Sequence, residues 1–142
     1  MNGYLLDTNV ISELIKPKPD PKVRTWVDAT SEQFLFLSVL TLGEIRRGIV
    51  LLPASSRRIR LETWLGTELL TRFANRILDI DQEVVDRWGY LSGLASVKGV
   101  SVPVIDGLLA ATAVHHNLTL VTRNIKDVAA TGVLLFNPWT DS

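Results

Sequence analysis

Short apolar runs of β type alternate along this chain with longer stretches in which apolar residues return every three or four positions. The runs Tyr4 to Leu6, Phe34 to Ser38, Ile77 to Ile80, Leu118 to Thr122 and Val133 to Phe136 read as strands. Between them, Thr8 to Ile15 reads as a helix that stops at Lys16-Pro17, because a proline disfavours helix in the residue before it. Leu42 to Leu52 keeps apolar residues at 42, 45, 49 and 52 and ends at Pro53, and Gly107 to His115 is a leucine- and alanine-rich helix with Asn117 as its C-terminal cap. Two further helices are predicted over Arg57 to Ala74, with Ile59, Leu61, Leu65, Leu69 and Leu70 on one side, and over Val84 to Val97. The prolines at 17, 19 and 21 read as a rigid loop between helices. Strands alternating with helices imply an α/β domain with a largely parallel sheet between helical layers.

Bulk properties narrow the class without naming a chemistry. With 142 residues the chain is expected to form one domain over residues 1–142, large enough to bury about two-thirds of its unfolded surface. A composition of 46% hydrophobic and 21% charged residues is that of an ordinary globular protein, and no apolar run approaches the roughly 18 residues of a bilayer span. Gly3 to Leu6 is interrupted by Asp7 and lacks a basic flank, so it does not read as a signal peptide, and a cytoplasmic location is expected. The absence of cysteine excludes disulfides and thiolate zinc sites.

The formal net charge is zero, which argues against a protein dedicated to coating DNA, yet the charge is unevenly spread. Residues 45–76 carry seven arginines against Glu62 and Glu68, beginning with Arg46 and Arg47. This basic run is either a solvated helix surface or a patch for phosphates.

Candidate chemistry sits where apolar runs end. LLDTN presents Asp7, TLGEI presents Glu44, VIDGL presents Asp106 and VTRN presents Asn124. Each has a plain structural reading: Asp7 and Asp106 as helix N-caps, Glu44 as a surface partner of Arg46 or Arg47, and Asn124 as an N-cap with Asp127 three residues on. Their concurrence points further. In open α/β sheets ligands bind beyond the carboxyl ends of the strands, and three strand ends and one helix here offer oxygen toward such an edge. Carboxylates gathered there repel one another and raise each other's pKa, so such a cluster calls for a cation; Mg²⁺ prefers oxygen and suits phosphodiester chemistry. His115 and His116 are adjacent, cannot bind one metal from one helix face, and read as decoration of a helix C-terminus. A glycine-rich phosphate loop, a GxSxG elbow and an HExxH pair are all missing.

Taken together and in order, LLDTNVIS, LTLGEIRRG, VIDGLLAATAVHHNLTLVTRN and LLFNPW resemble the PIN-domain ribonucleases, specifically the VapC and FitB-like toxins of bacterial toxin–antitoxin pairs. The resemblance implies a three-layer α/β/α fold with a five-stranded parallel sheet in the order 3-2-1-4-5. It implies Mg²⁺, with Mn²⁺ as a substitute, held by Asp7, Glu44 and Asp106, and it puts the family's fourth acidic position on Asn124, an amide. Thr8, Asn9, Ser38 and Thr122 would stand behind these groups, with Asp127 acting through water. Arg46, Arg47 and Arg123 are candidates for the RNA backbone. A homodimer and a small DNA-binding antitoxin whose C-terminal segment lies across the active site are the implied partners, and no membrane is involved. Two other readings stay open: an aspartyl-phosphate phosphoryl-transfer domain, which needs a placed lysine for which Lys98 and Lys126 are the candidates, and a binding module that has kept the fold without turnover.

Overall fold

The structure, a computed structural model, describes residues 3–141. Five short strands form one parallel sheet: β1 (Tyr4–Leu6), β2 (Leu35–Ser38), β3 (Ile77–Leu78), β4 (Thr119–Val121) and β5 (Leu135–Phe136), in the order β3-β2-β1-β4-β5. The order places β1 at the centre, with Tyr4 opposite both Leu35 and Thr119. Successive side chains of a strand point to opposite faces, and the core divides accordingly. Leu6 and Val121 pack with Val10, Ile11, Leu35, Leu37, Ile45 and Phe73 on one face, while Leu5 and Leu120 pack with Leu109, Ala110, Ala113 and Val128 on the other. A sheet buried on both faces requires a helical layer on each side.

The first layer holds α1 (Thr8–Leu14), α2 (Pro21–Ala29), α3 (Val39–Val50) and α4 (Ser56–Thr63), and α7 (Val104–His115) covers the opposite face with α6 (Gln82–Val97) outside it. The helix expected over 57–74 passes through a π-helical stretch, Trp64–Leu69, before closing in α5 (Leu70–Arg72). That wider turn rotates the apolar stripe. Leu65 and Leu69 are buried as expected, while Ile59 and Leu70 face solvent.

Two local features differ from expectation for clear reasons. The proline tract does not stay a loop: Pro21 is the first residue of α2, and the Asp20 carboxylate accepts the Lys22 N–H at 2.9 Å, a proline start with a side-chain cap. Helix α7 begins at Val104 rather than at Gly107, so Val102 to Ile105 is not a strand end and Asp106 lies in the first helical turn. At its other end α7 closes as expected. Asn117 takes a positive φ of 56°, and the Leu118 N–H returns to the Ala113 carbonyl at 2.8 Å. A short eighth helix, α8 (Ile125–Val128), follows β4.

Gly107 lets α7 seat against α6. A Cβ at this position would stand 3.0 Å from the Trp88 indole, tighter than ordinary packing, so a side chain next to Asp106 would push the indole aside or part the two helices.

Candidate functional site: an acidic pocket at the carboxyl end of the sheet

Where β1 ends and α1 begins, Asp7 is 6% exposed and uses both carboxylate oxygens. Oδ1 accepts the Thr8 N–H at 2.6 Å, and Oδ2 accepts the Thr122 hydroxyl at 2.7 Å and the Asn9 amide at 3.4 Å. Capping α1 therefore accounts for one oxygen only. The Thr122 hydroxyl itself accepts the Asn124 N–H at 3.0 Å, which fixes its own proton toward Asp7. The ends of β1 and β4, hydrogen-bonded neighbours, are thus tied through one carboxylate.

From α3, Glu44 accepts the Thr8 hydroxyl at 2.5 Å, and the Thr8 and Thr41 hydroxyls lie 3.3 Å apart. Glu44 pairs with neither Arg46 nor Arg47. Asp106, half-buried at the start of α7, faces the same pocket, which has a volume of about 370 Å³. Asp7, Glu44, Asp106 and Asn124 all line this space, together with Thr8 and Asn9.

The electrostatics are those of uncompensated acids. Burial pushes the Asp106 carboxyl up to about 6, with the negative charges of Asp7, Asp127 and Glu44 adding to it. Burial likewise raises Asp7, against the lowering effect of Thr122 and the Thr8 amide. Among the described residues no lysine, arginine or histidine forms an ion pair with Asp7, Glu44 or Asp106. No three acidic or imidazole groups among the described residues close into a ready metal cage either. The donors are nevertheless those a hard cation prefers. Mg²⁺ takes one or two carboxylates and fills the remaining positions with water and phosphate oxygen rather than a protein cage, and an open pocket walled by Asp7 and Asp106 fits that habit. The buried, unpartnered Asn9 Oδ1 adds one more oxygen acceptor behind Asp7.

Several expected residues stand elsewhere. Ser38 is fully buried, and its hydroxyl accepts the Leu40 N–H at 3.1 Å, so it caps α3 and lies outside the pocket lining. Arg46 and Arg47 are exposed and also off the pocket wall: with Ile45 facing the core, they fall about 100° and 200° further around α3. Asp127 reaches the site only through its charge on Asp106, and the Asn124 side chain makes no capping bond to α8. Of the expected basic residues, Arg123 does line the pocket. Neither Lys98 nor Lys126 does; the lysine that does is Lys16, after α1, paired with buried Glu13. Glu13, Lys16, Ser12 and Trp139 were not foreseen, although the Glu-x-x-Lys spacing and the closing NPW were visible signals.

A parallel sheet in the order 3-2-1-4-5, with acids from β1, α3 and α7 meeting at its carboxyl edge, defines the PIN-type α/β class of proteins. Residues 4–131 match the family model described as PIN domain, and the chain belongs to that family. It is 38% identical over 137 residues to toxin FitB of Neisseria gonorrhoeae, covering 96% of this chain and 99% of that protein. It is also 38% identical to VapC ribonuclease Y4jK of Sinorhizobium fredii, over 95% of this chain and 96% of the relative. The crystal structure of FitAcB from Neisseria gonorrhoeae superposes with a TM-score of 0.92 at 37% identity, covering 96% of this chain and 99% of that one.

Proposed function

We propose that this protein is a Mg²⁺-dependent endoribonuclease, with Mn²⁺ able to substitute, acting as the toxin of a type II toxin–antitoxin pair in the cytoplasm. The observation that carries the reading is the shared pocket in which Asp7, Glu44 and Asp106 stand without an ion-pair partner among the described residues, Asp106 lifted to about 6. Relatives named as a toxin and as a ribonuclease support it.

Asp7 and Asp106 would hold the ion directly, and Glu44, oriented by the Thr8 hydroxyl, would complete the site or position a water. The ion when bound supplies Lewis acidity, lowering the pKa of an attacking water and offsetting charge that develops on the phosphate. Thr122 and Asn9 keep the Asp7 carboxylate in one rotamer, so the donor does not reorganise during reaction. Asn124 lines the pocket, and Arg123 meets the RNA backbone. Attack by water does not need the ribose 2′-hydroxyl, so the products carry a 3′-hydroxyl and a 5′-phosphate.

A cognate antitoxin restrains the activity; support for this is that the relative from Neisseria gonorrhoeae is named as a toxin. A second copy of the chain covers the exposed apolar side of α6, where Tyr90, Leu94 and Val97 face solvent. No helix among the described residues is long and apolar enough to cross a membrane. The test is cleavage of a mixed RNA pool with Mg²⁺, with EDTA, and by Asp106→Asn. Cleavage that needs both the ion and Asp106 supports the assignment. Folded, inhibitor-free protein that leaves the RNA intact overturns it in favour of a binding module.

A further inference from the structure

The pocket that gathers the acids is also lined by two cations, Lys16 and Arg123. Each cation is held by a buried partner. The Lys16 ammonium lies 3.0 Å from Glu13 Oε1, and Glu13, itself 6% exposed, accepts the Asp20 N–H on its other oxygen at 2.9 Å. The Arg123 guanidinium lies over the Trp139 ring, 5.0 Å from its centroid, and Trp139 is 7% exposed. The closing turn fixes that ring: the Trp139 N–H is held by Asn137 Oδ1 at 2.9 Å, and the Asn137 N–H by Asp141 at 2.9 Å. The Trp139 side chain also helps to hold the Glu13 carboxyl below its usual range, so the two buried groups that hold the cations act on each other.

Stability alone accounts poorly for this arrangement. Lys16 is 54% exposed, where an ion pair contributes little, and among the described residues Arg123 has no carboxylate partner. A guanidinium stacked on an indole keeps its edge N–H groups free for a planar anion, and a lysine pinned at its ammonium is a placed point charge. Two cations beside a metal-type acidic cluster in one pocket suit a polyanion with regularly spaced charges.

We propose that Lys16 and Arg123, held by Glu13 and Trp139, form a phosphate-binding subsite that takes the phosphate next to the scissile one in single-stranded RNA. The assignment of a scissile phosphate rests on the nuclease reading above, while the subsite itself can be measured without turnover. Lys16 and Arg123 touch the phosphate; Glu13 and Trp139 are positioning residues.

The experiment follows binding of a labelled single-stranded RNA to Asp106→Asn protein by fluorescence anisotropy across a salt series. Lys16→Met and Arg123→Met are each expected to flatten the slope of log affinity against log salt by about 0.7, the value for one lost phosphate contact on a single strand. Glu13→Gln is expected to match Lys16→Met, and Trp139→Leu to match Arg123→Met, with Trp139→Phe restoring the parent slope. A dinucleotide bearing a terminal phosphate should compete better than one without it, and that advantage should vanish in Lys16→Met. Parent slopes in Lys16→Met and Arg123→Met overturn the subsite, as does a parent that binds no RNA. Parent slopes in Glu13→Gln and Trp139→Leu, with only the melting temperature lowered, overturn the positioning roles. Failure of the nuclease reading shows separately, as absence of Mg²⁺-dependent cleavage by the unsubstituted protein.

Discussion

Asp7 and Glu13 stand six positions apart at the two ends of α1, and each is 6% exposed, yet their carboxyls are driven in opposite directions. Hydrogen bonds to Lys16 and to the Asp20 backbone hold Glu13 below the usual carboxylate range despite burial. Burial raises Asp7, whose partners are a hydroxyl, an amide and a backbone N–H, and the charge of Glu44 raises it further. The fold supplies a cation to one buried acid and withholds it from the other. A buried charge left without a counter-charge is costly, so its retention at Asp7 supports the proposal that an external cation binds there.

The largest expected effect comes from neutralising the unpaired side. Asp7→Asn should abolish RNA cleavage while the melting temperature changes little, since the relief of one repelling charge in the pocket offsets the hydrogen bond lost where a single amide oxygen must serve both the Thr8 N–H and the Thr122 hydroxyl. Cleavage assays beside thermal melts check this, and a variant that cut RNA at the parent rate would sink the site. Thr122→Val preserves shape and removes only the hydroxyl that orients Asp7. Loss of such a supporting group typically weakens metal affinity by 10–100-fold, which Mg²⁺ titration of the thermal shift would read directly.

On the paired side the cost should fall on stability as well as on RNA binding. Glu13→Gln keeps the volume but weakens two charge-assisted hydrogen bonds, and a loss of about 1–3 kcal/mol is expected in chemical denaturation. The pH dependence follows in sign. Glu13 has a folded pKa below its unfolded one, so its contribution is complete above the unfolded value near 4.5 and is lost as pH falls through the folded value. The stability gap between parent and Glu13→Gln should therefore be widest at neutral pH and close in acid; a gap of constant size would place the effect in packing instead.

That difference between two acids on one helix was only half legible in the sequence. Asp7 announced itself because it interrupts an apolar run, and Glu44, Asp106 and Asn124 did so for the same reason. Strand positions were readable from apolar runs, whereas the sheet order came from resemblance, since spacing alone does not order parallel strands. Glu13 and Lys16 looked like any surface pair at i, i+3; only the turn into α2 and the returning C-terminal Trp139 bury the carboxylate. The same turn hid α2, because Pro21 reads equally as loop or as a helix start. Val102 to Ile105 is a short apolar run that fits a strand or a helix by periodicity, and packing of Gly107 on Trp88 decides for α7. The π-helical stretch left no signal in the apolar spacing at all.

The smallest expected effect tests how far basic character alone can stand in for placement. Arg46 follows Glu44 by two residues and opens the most basic stretch of the chain, which made it a candidate for the RNA backbone. In the fold it sits on the exposed side of α3, off the wall shared by Asp7 and Arg123. A solvated arginine outside the pocket contributes only a diffuse, screened attraction, while one fixed on the wall releases a counterion when a phosphate binds. Arg46→Ala should therefore leave the salt slope of RNA binding within error of the parent, against a loss of about 0.7 for Arg123→Met. A slope lost equally at both positions would mean that the RNA path runs over α3 and that the pocket wall is not where the backbone is read.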